Sequence, residues 1–134
     1  MNRVEPSCLV RQEVRNKIHQ AHPFDRGSFC HHWLDRVLNL RPVLLLYALA
    51  EGTKRSSELE RELAGISRRS LVRALRGLEA DRLIERKVYA VVPPMVEYSL
   101  TSAGASLIEP LASVCEWVAE HEKMLGQSLP AKQA

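Results

Sequence analysis

The chain has 134 residues, 46% hydrophobic and 26% charged, enough for one domain with a buried core and too few for two of ordinary size. Its formal net charge of +3 is too small to announce a nucleic-acid partner by itself, so any such partner must be argued from local patches. The longest apolar runs, such as residues 43–50, are far too short to cross a bilayer, and the N-terminus is charged where a secretion signal is apolar. The expectation is a soluble, cytoplasmic protein with no membrane partner.

Leu9, Val10, Val14 and Ile18 lie close to helical spacing before Pro23 ends the pattern, which predicts a short amphipathic helix. Residues 24–28 read as a linker. Phe29, Trp33, Val37 and Leu40 then predict a second helix, with Asn39 suited to a left-handed helix end and Pro42 to the first turn of a third. That third helix carries the apolar run "VLLLYALA" and closes at Gly52.

Ser57 and Glu60 have the spacing of a capping box, opening a short helix that packs through Leu59 and Leu63 and stops at Gly65. Ser67 caps the next helix. There Leu71, Leu75 and Leu78 form a core stripe and leave Arg69, Arg73 and Arg76 facing the other way. From Ile66 to Leu78 the chain holds four arginines and no acid. Two short helices joined by a tight glycine-containing turn, the second with basic residues outward, follow the helix-turn-helix plan.

Period-two patterns follow, with Ile84 and Val88 read on one face and Val96, Tyr98 and Leu100 on another, predicting a hairpin. Its tip holds Pro93 and Pro94, which donate no backbone hydrogen bond and stiffen the loop. A rigid loop loses little entropy when it is bound. Thr101 caps the last helix, whose stripe of Leu107, Leu111, Val114 and Val118 is too long for so small a core to cover, and which Pro110 is expected to bend. The fold class is therefore mainly α with a small β-hairpin wing, a winged helix-turn-helix with helices at both termini.

Side-chain chemistry narrows the function. Outward arginines on the second helix of such a motif reach guanine edges or phosphates, and Ser67 and Arg68 stand at its N-terminus, where free amides favour anions. Arg86 and Lys87 at the wing base and Met95 beyond the prolines complete the candidate DNA-contacting set. The sequence has no paired carboxylates, nucleophile elbow or phosphate-cradling glycine loop, so an enzyme is the poorest class. No cofactor or metal is expected: adjacent His31 and His32 point apart on a helix, and Cys8, Cys30 and Cys115 are too scattered for a knuckle.

The segments "VYAVVPPMVEYSLTSAG", "GISRRSLVRALRGLEADRLIER" and "LASVCEWVAEH" together resemble the HxlR-type family of winged helix-turn-helix transcription regulators, relatives of the MarR type. The resemblance covers roughly residues 29–122. It implies a homodimer, paired through terminal helices, that sets two recognition helices in successive major grooves of a palindromic duplex operator. It also implies, for several members, a cysteine before the first core helix that senses oxidants or small electrophiles, which makes Cys30 the redox candidate. Three features depart from the pattern. Asn39-Leu40-Arg41-Pro42 stands where the family has Gly-Gly-Lys-Trp, Met95 replaces the Arg after the two prolines, and Cys30 is displaced by one residue with His31 in place of its Pro neighbour.

The resulting expectation is a dimeric DNA-binding regulator, a repressor because a small dimer on an operator blocks polymerase without needing an activation surface. Its parts are an extension over 1–28, the winged domain over 29–125 and a tail over 126–134. The rival, motivated by Met95 and the altered turn, is a winged-helix protein that has lost DNA binding and serves as a protein-interaction module.

Overall fold

The structure, a computed structural model, describes residues 9–126. In order it forms α1 (Gln12–Ala21), α2 (Phe29–Val37), α3 (Leu40–Leu49), β1 (Lys54–Arg55), α4 (Ser56–Glu62), α5 (Arg68–Ala80), β2 (Ile84–Tyr89), β3 (Met95–Leu100) and α6 (Ser102–His121). The chain divides into two compact units, Met1–Leu40 and Arg41–Ala134. No described helix is long and apolar enough to cross a membrane.

In the first unit, α1 begins only at Gln12, so Leu9 and Val10 precede it and lie exposed, and none of its residues is buried. Ser28 caps α2 by accepting from the His31 amide at 3.0 Å. Asn39 does not adopt the expected left-handed conformation, which among the described non-glycine residues is taken by His22 and Arg82. It instead donates its side-chain amide to the Asp35 carbonyl at 2.6 Å, and α3 starts at the next residue. That bond satisfies one of the carbonyls a helix end leaves open.

The second unit is built on α3, α4 and α5, with Leu45, Leu46, Leu59, Leu71, Leu75 and Leu78 in its core. Pro42 falls in the first turn of α3, where its missing N–H costs no helical bond. Gly52 at φ +138° and Gly65 at φ +101° follow α3 and α4 in a region closed to side chains. The cap of α4 sits two residues earlier than the sequence spacing predicts: Glu58 accepts from the Arg55 amide at 2.8 Å. The cause is β1, whose pairing holds Arg55 extended at ψ 156°, so the helix begins directly after it. Glu60, released from capping, pairs with Arg68 at 3.3 Å. Lys54 bridges Glu51 at 2.9 Å and also Glu62, and these carboxylates, Glu62 first, raise its pKa.

The sheet has three antiparallel strands in the order β1-β3-β2, so the hairpin gains a third strand that its sequence did not announce. The register sets Ile84 opposite Leu100, Arg86 opposite Tyr98 and Val88 opposite Val96. Directly opposed residues share a face, so Ile84 and Val88 lie with Val96, Tyr98 and Leu100 rather than on a separate face. This face is buried at its Ile84 and Tyr98 end and opens toward the tip, where Val88 is exposed.

The joint between α5, β2 and α6 is tight. The Leu83 carbonyl accepts from the Thr101 amide at 3.0 Å, and Thr101 Oγ1 donates to the Arg82 carbonyl at 2.7 Å while accepting from the Gly104 amide at 3.1 Å. A Cβ on Gly104 would lie 2.1 Å from the Leu83 oxygen, so no other residue fits. The glycine three residues after the Leu-Thr pair is there to let α6 lie against this carbonyl.

Candidate nucleic-acid interface

The candidate surface rests on how α5 is held. Ser67, at φ −64° and ψ 151°, caps the helix by accepting from the Ser70 amide at 3.1 Å. Three buried leucines, Leu71, Leu75 and Leu78, fix the rotation of the helix about its axis. Arg68, Arg69, Arg73 and Arg76 are then all exposed, and with Val72 they line one open depression. The structure thus brings together the arginines that the sequence singled out.

Electrostatics keep this face available. Arg68 pairs with Glu60, but its side chain is 83% exposed, and an exposed pair of this kind is weak and easily exchanged for a phosphate. Among the described residues, Arg69, Arg73 and Arg76 have no ion-pair or hydrogen-bond partner. The three unpaired guanidinium groups and the weakly paired Arg68 beside them repel one another, a cost that an anionic ligand relieves.

The wing is less uniform. Arg86 and Lys87 are both exposed but adjacent on β2, so their side chains leave the strand on opposite faces. Lys87 Nζ lies 5.0 Å from the centre of the Tyr89 ring, whose hydroxyl donates to Glu97 at 2.9 Å, so the lysine is partly engaged within the wing. Met95 is half-buried at the start of β3, whereas Val92 at the tip is fully exposed. Sequence reasoning missed Arg55. Exposed on β1, it lines a depression with Ser56, Ser57 and the segment from Val91 in the wing loop to Val96 in β3, bringing a cation beside the wing tip where Met95 brings none. A basic residue immediately before a helix start was the only signal for it.

On α6 the apolar stripe splits. Leu111 is buried within its own domain at 7% exposure and Leu107 is half-buried, so Leu111 does not belong to an exposed interface. Val114, Trp117 and Val118 stay exposed at 59%, 49% and 47%, and Trp117 stacks on His121 with centroids 4.3 Å apart. Tyr47 ties α3 to α6: its hydroxyl donates to the Leu111 carbonyl at 3.0 Å and lies 3.0 Å from Cys115 Sγ. The hydrogen bond with Cys115, then burial, then charge at Cys115 push the Tyr47 pKa up to about 12.

Cys30 is the second residue of α2, inside the helix rather than ahead of it, and half-buried. The His31 ring is engaged elsewhere, its Nδ1 donating to the Pro23 carbonyl at 2.8 Å, and it meets His32 edge to face at 5.7 Å. Cys8 lies outside the described residues. Among the described residues no three His, Cys, Asp or Glu side chains gather as a metal would require.

Comparison with known proteins agrees with this architecture. The uncharacterized HTH-type transcriptional regulator YtfH of Escherichia coli is 46% identical over 76 residues, which are 57% of this chain and 60% of that protein. The match therefore spans about three fifths of that relative's length. Among solved structures, the putative transcriptional regulator ytfH from Salmonella typhimurium superposes with a TM-score of 0.69 at 35% identity, over 76% of this chain and 91% of that one. The redox regulator HypR in its oxidized form gives a TM-score of 0.62 at 38% identity, over 67% of this chain and 93% of that one. The family model described as HxlR-like helix-turn-helix matches residues 41–125, the stretch that holds α4, the arginine face of α5 and the wing, and this chain belongs to that family.

Proposed function

We propose that this protein is a homodimeric transcription regulator that binds palindromic duplex DNA, with α5 in the major groove and the wing against the adjacent backbone. The observation that carries this reading is the arginine face of α5: Arg69, Arg73 and Arg76 exposed on the side away from a buried leucine stripe, with Arg68 exposed at the helix start, on the second helix of a helix-turn-helix. Arg69, Arg73 and Arg76 act as base-edge or phosphate ligands, and Ser67 and Arg68 grip phosphate at the helix start. Arg86, Lys87 and Met95 contact the duplex through the wing, where Arg55 supports them.

The functional domain is residues 29–125, with 1–28 as an extension and 126–134 as a tail. Pairing uses the exposed part of the α6 stripe, Val114, Trp117 and Val118, with Leu107 at its edge. A two-fold dimer sets its recognition helices about 34 Å apart, one turn of DNA. Such a dimer represses by occupying its operator. The likeness to a redox regulator supports control by oxidants or small electrophiles, with Cys30 as the thiol that responds.

Selection of bound duplexes from a random library tests the reading. The expected product is an inverted repeat with half-site centres about 10 base pairs apart. Recovery of no consensus, with random and upstream DNA bound equally, would overturn it in favour of a protein-interaction module.

A further inference from the structure

Val72 stands on α5 with Arg68 and Arg69 one turn before it, Arg73 beside it and Arg76 one turn after, and it lines the same depression as all four. It is 37% exposed, at the edge of the buried stripe of Leu71, Leu75 and Leu78 that holds the helix to its domain. A β-branched residue is a poor choice for an exposed helical site, since it loses side-chain freedom there and offers apolar surface to water. The same properties suit contact with a ligand. The side chain is stiff, apolar and shorter than its arginine neighbours, so it forms an apolar floor between groups that carry charge.

In the major groove the thymine C5-methyl is the apolar group that the base edges present, and small apolar side chains recognise it. We propose that Val72 packs against the methyl group of a thymine and so specifies that base at one position of each half-site. The inference rests on the reading that α5 enters the major groove, and adds to it the residue that selects a base without charge. The arginines supply affinity and orientation. Val72 supplies discrimination that is independent of salt, because no counterion is released when two methyl groups meet.

The test uses the full chain and its selected duplex. Each thymine is replaced in turn by uracil, which removes only the methyl group, and binding is measured by fluorescence anisotropy for wild type and for Val72→Ala. At one position per half-site uracil should weaken wild type by about fourfold, the worth of one buried methyl group, and Val72→Ala much less. The slope of log affinity against log salt should be the same for both proteins. Ala is the strongest helix former, so the variant should fold, and far-UV circular dichroism verifies this; Val72→Ser provides a second comparison with the branch removed. Uracil effects that are equal in wild type and variants at every position would overturn this inference alone. Failure of wild type to select any site would instead overturn the major-groove reading, and this inference with it.

Discussion

Replacing Gly104 with Ala should unfold the joint on which α5 and the wing are hung. The new Cβ would lie 2.1 Å from the Leu83 oxygen and 3.1 Å from its carbonyl carbon, and both are backbone atoms that cannot rotate aside. Either the start of α6 or the start of β2 must move. Three hydrogen bonds converge there, from Thr101 N, Thr101 Oγ1 and Gly104 N, each worth about 1 kcal/mol. Overpacking of this kind costs about 1–3 kcal/mol, and loss of one or two of the bonds adds to it. Against this, Ala favours a helix over Gly by about 1 kcal/mol. The net expectation is a destabilisation of about 1–4 kcal/mol. Gly77 provides the matched control, because it also lies in a helix but a Cβ there would meet nothing within 4 Å. Gly77→Ala should therefore stabilise by up to about 1 kcal/mol. Urea denaturation of both variants at one fixed protein concentration reads the two effects, with opposite shifts in the midpoint. Equal shifts, or a Gly104→Ala protein as stable as wild type, would refute the argument.

Ser67→Ala removes the cap of α5 and should cost about 1 kcal/mol in stability, read by the same denaturation, with weaker DNA binding from the loosened helix start. Val118→Glu places a charge in the exposed α6 stripe and should shift the protein from dimer to monomer in light scattering at micromolar concentration, while an unchanged mass would remove α6 from the interface. The ultraviolet difference between wild type and Tyr47→Phe should report a phenol ionising near pH 12, and Cys115→Ala should bring that ionisation toward the ordinary value of 10. Because the folded pKa is the higher one, the associated stability is intact below pH 10 and lost as pH rises from about 10 to 12. Cys30→Ser should abolish any oxidant-dependent loss of DNA binding, and a response that persists would assign the sensing elsewhere.

Much of the fold was legible because its strongest signals are periodic. The leucines at 71, 75 and 78 specify both the existence and the rotation of α5, so the outward direction of its arginines followed without knowledge of any neighbour. What escaped was set by tertiary pairing. A two-residue strand such as β1 has no period to detect, and once it pairs with β3 it overrides the Ser57 and Glu60 capping pattern and starts α4 after Arg55. Strand alternation likewise gave the faces of β2 and β3 separately, whereas their common face depends on register. On α6 the apolar spacing could not distinguish Leu111, which its own domain buries, from Val114 and Val118, which it leaves open. Gly104 was visible only as part of a motif. Its reason is a carbonyl contributed by the turn before β2, 21 residues earlier in the chain.

The central claim is that the arginine face of α5 is a phosphate- and base-reading surface. The most direct measurement is a salt titration of binding to the protein's own upstream DNA, comparing wild type with Arg69→Ala and Arg73→Ala by fluorescence anisotropy. Wild type should bind that DNA in preference to a scrambled duplex, with affinity falling steeply and linearly in log salt. Each variant should lose about 1–3 kcal/mol of specific binding, and a variant that has lost a phosphate contact should also lose about one unit of salt slope. Variants that bind as wild type does, with the same slope and the same preference, would contradict the account.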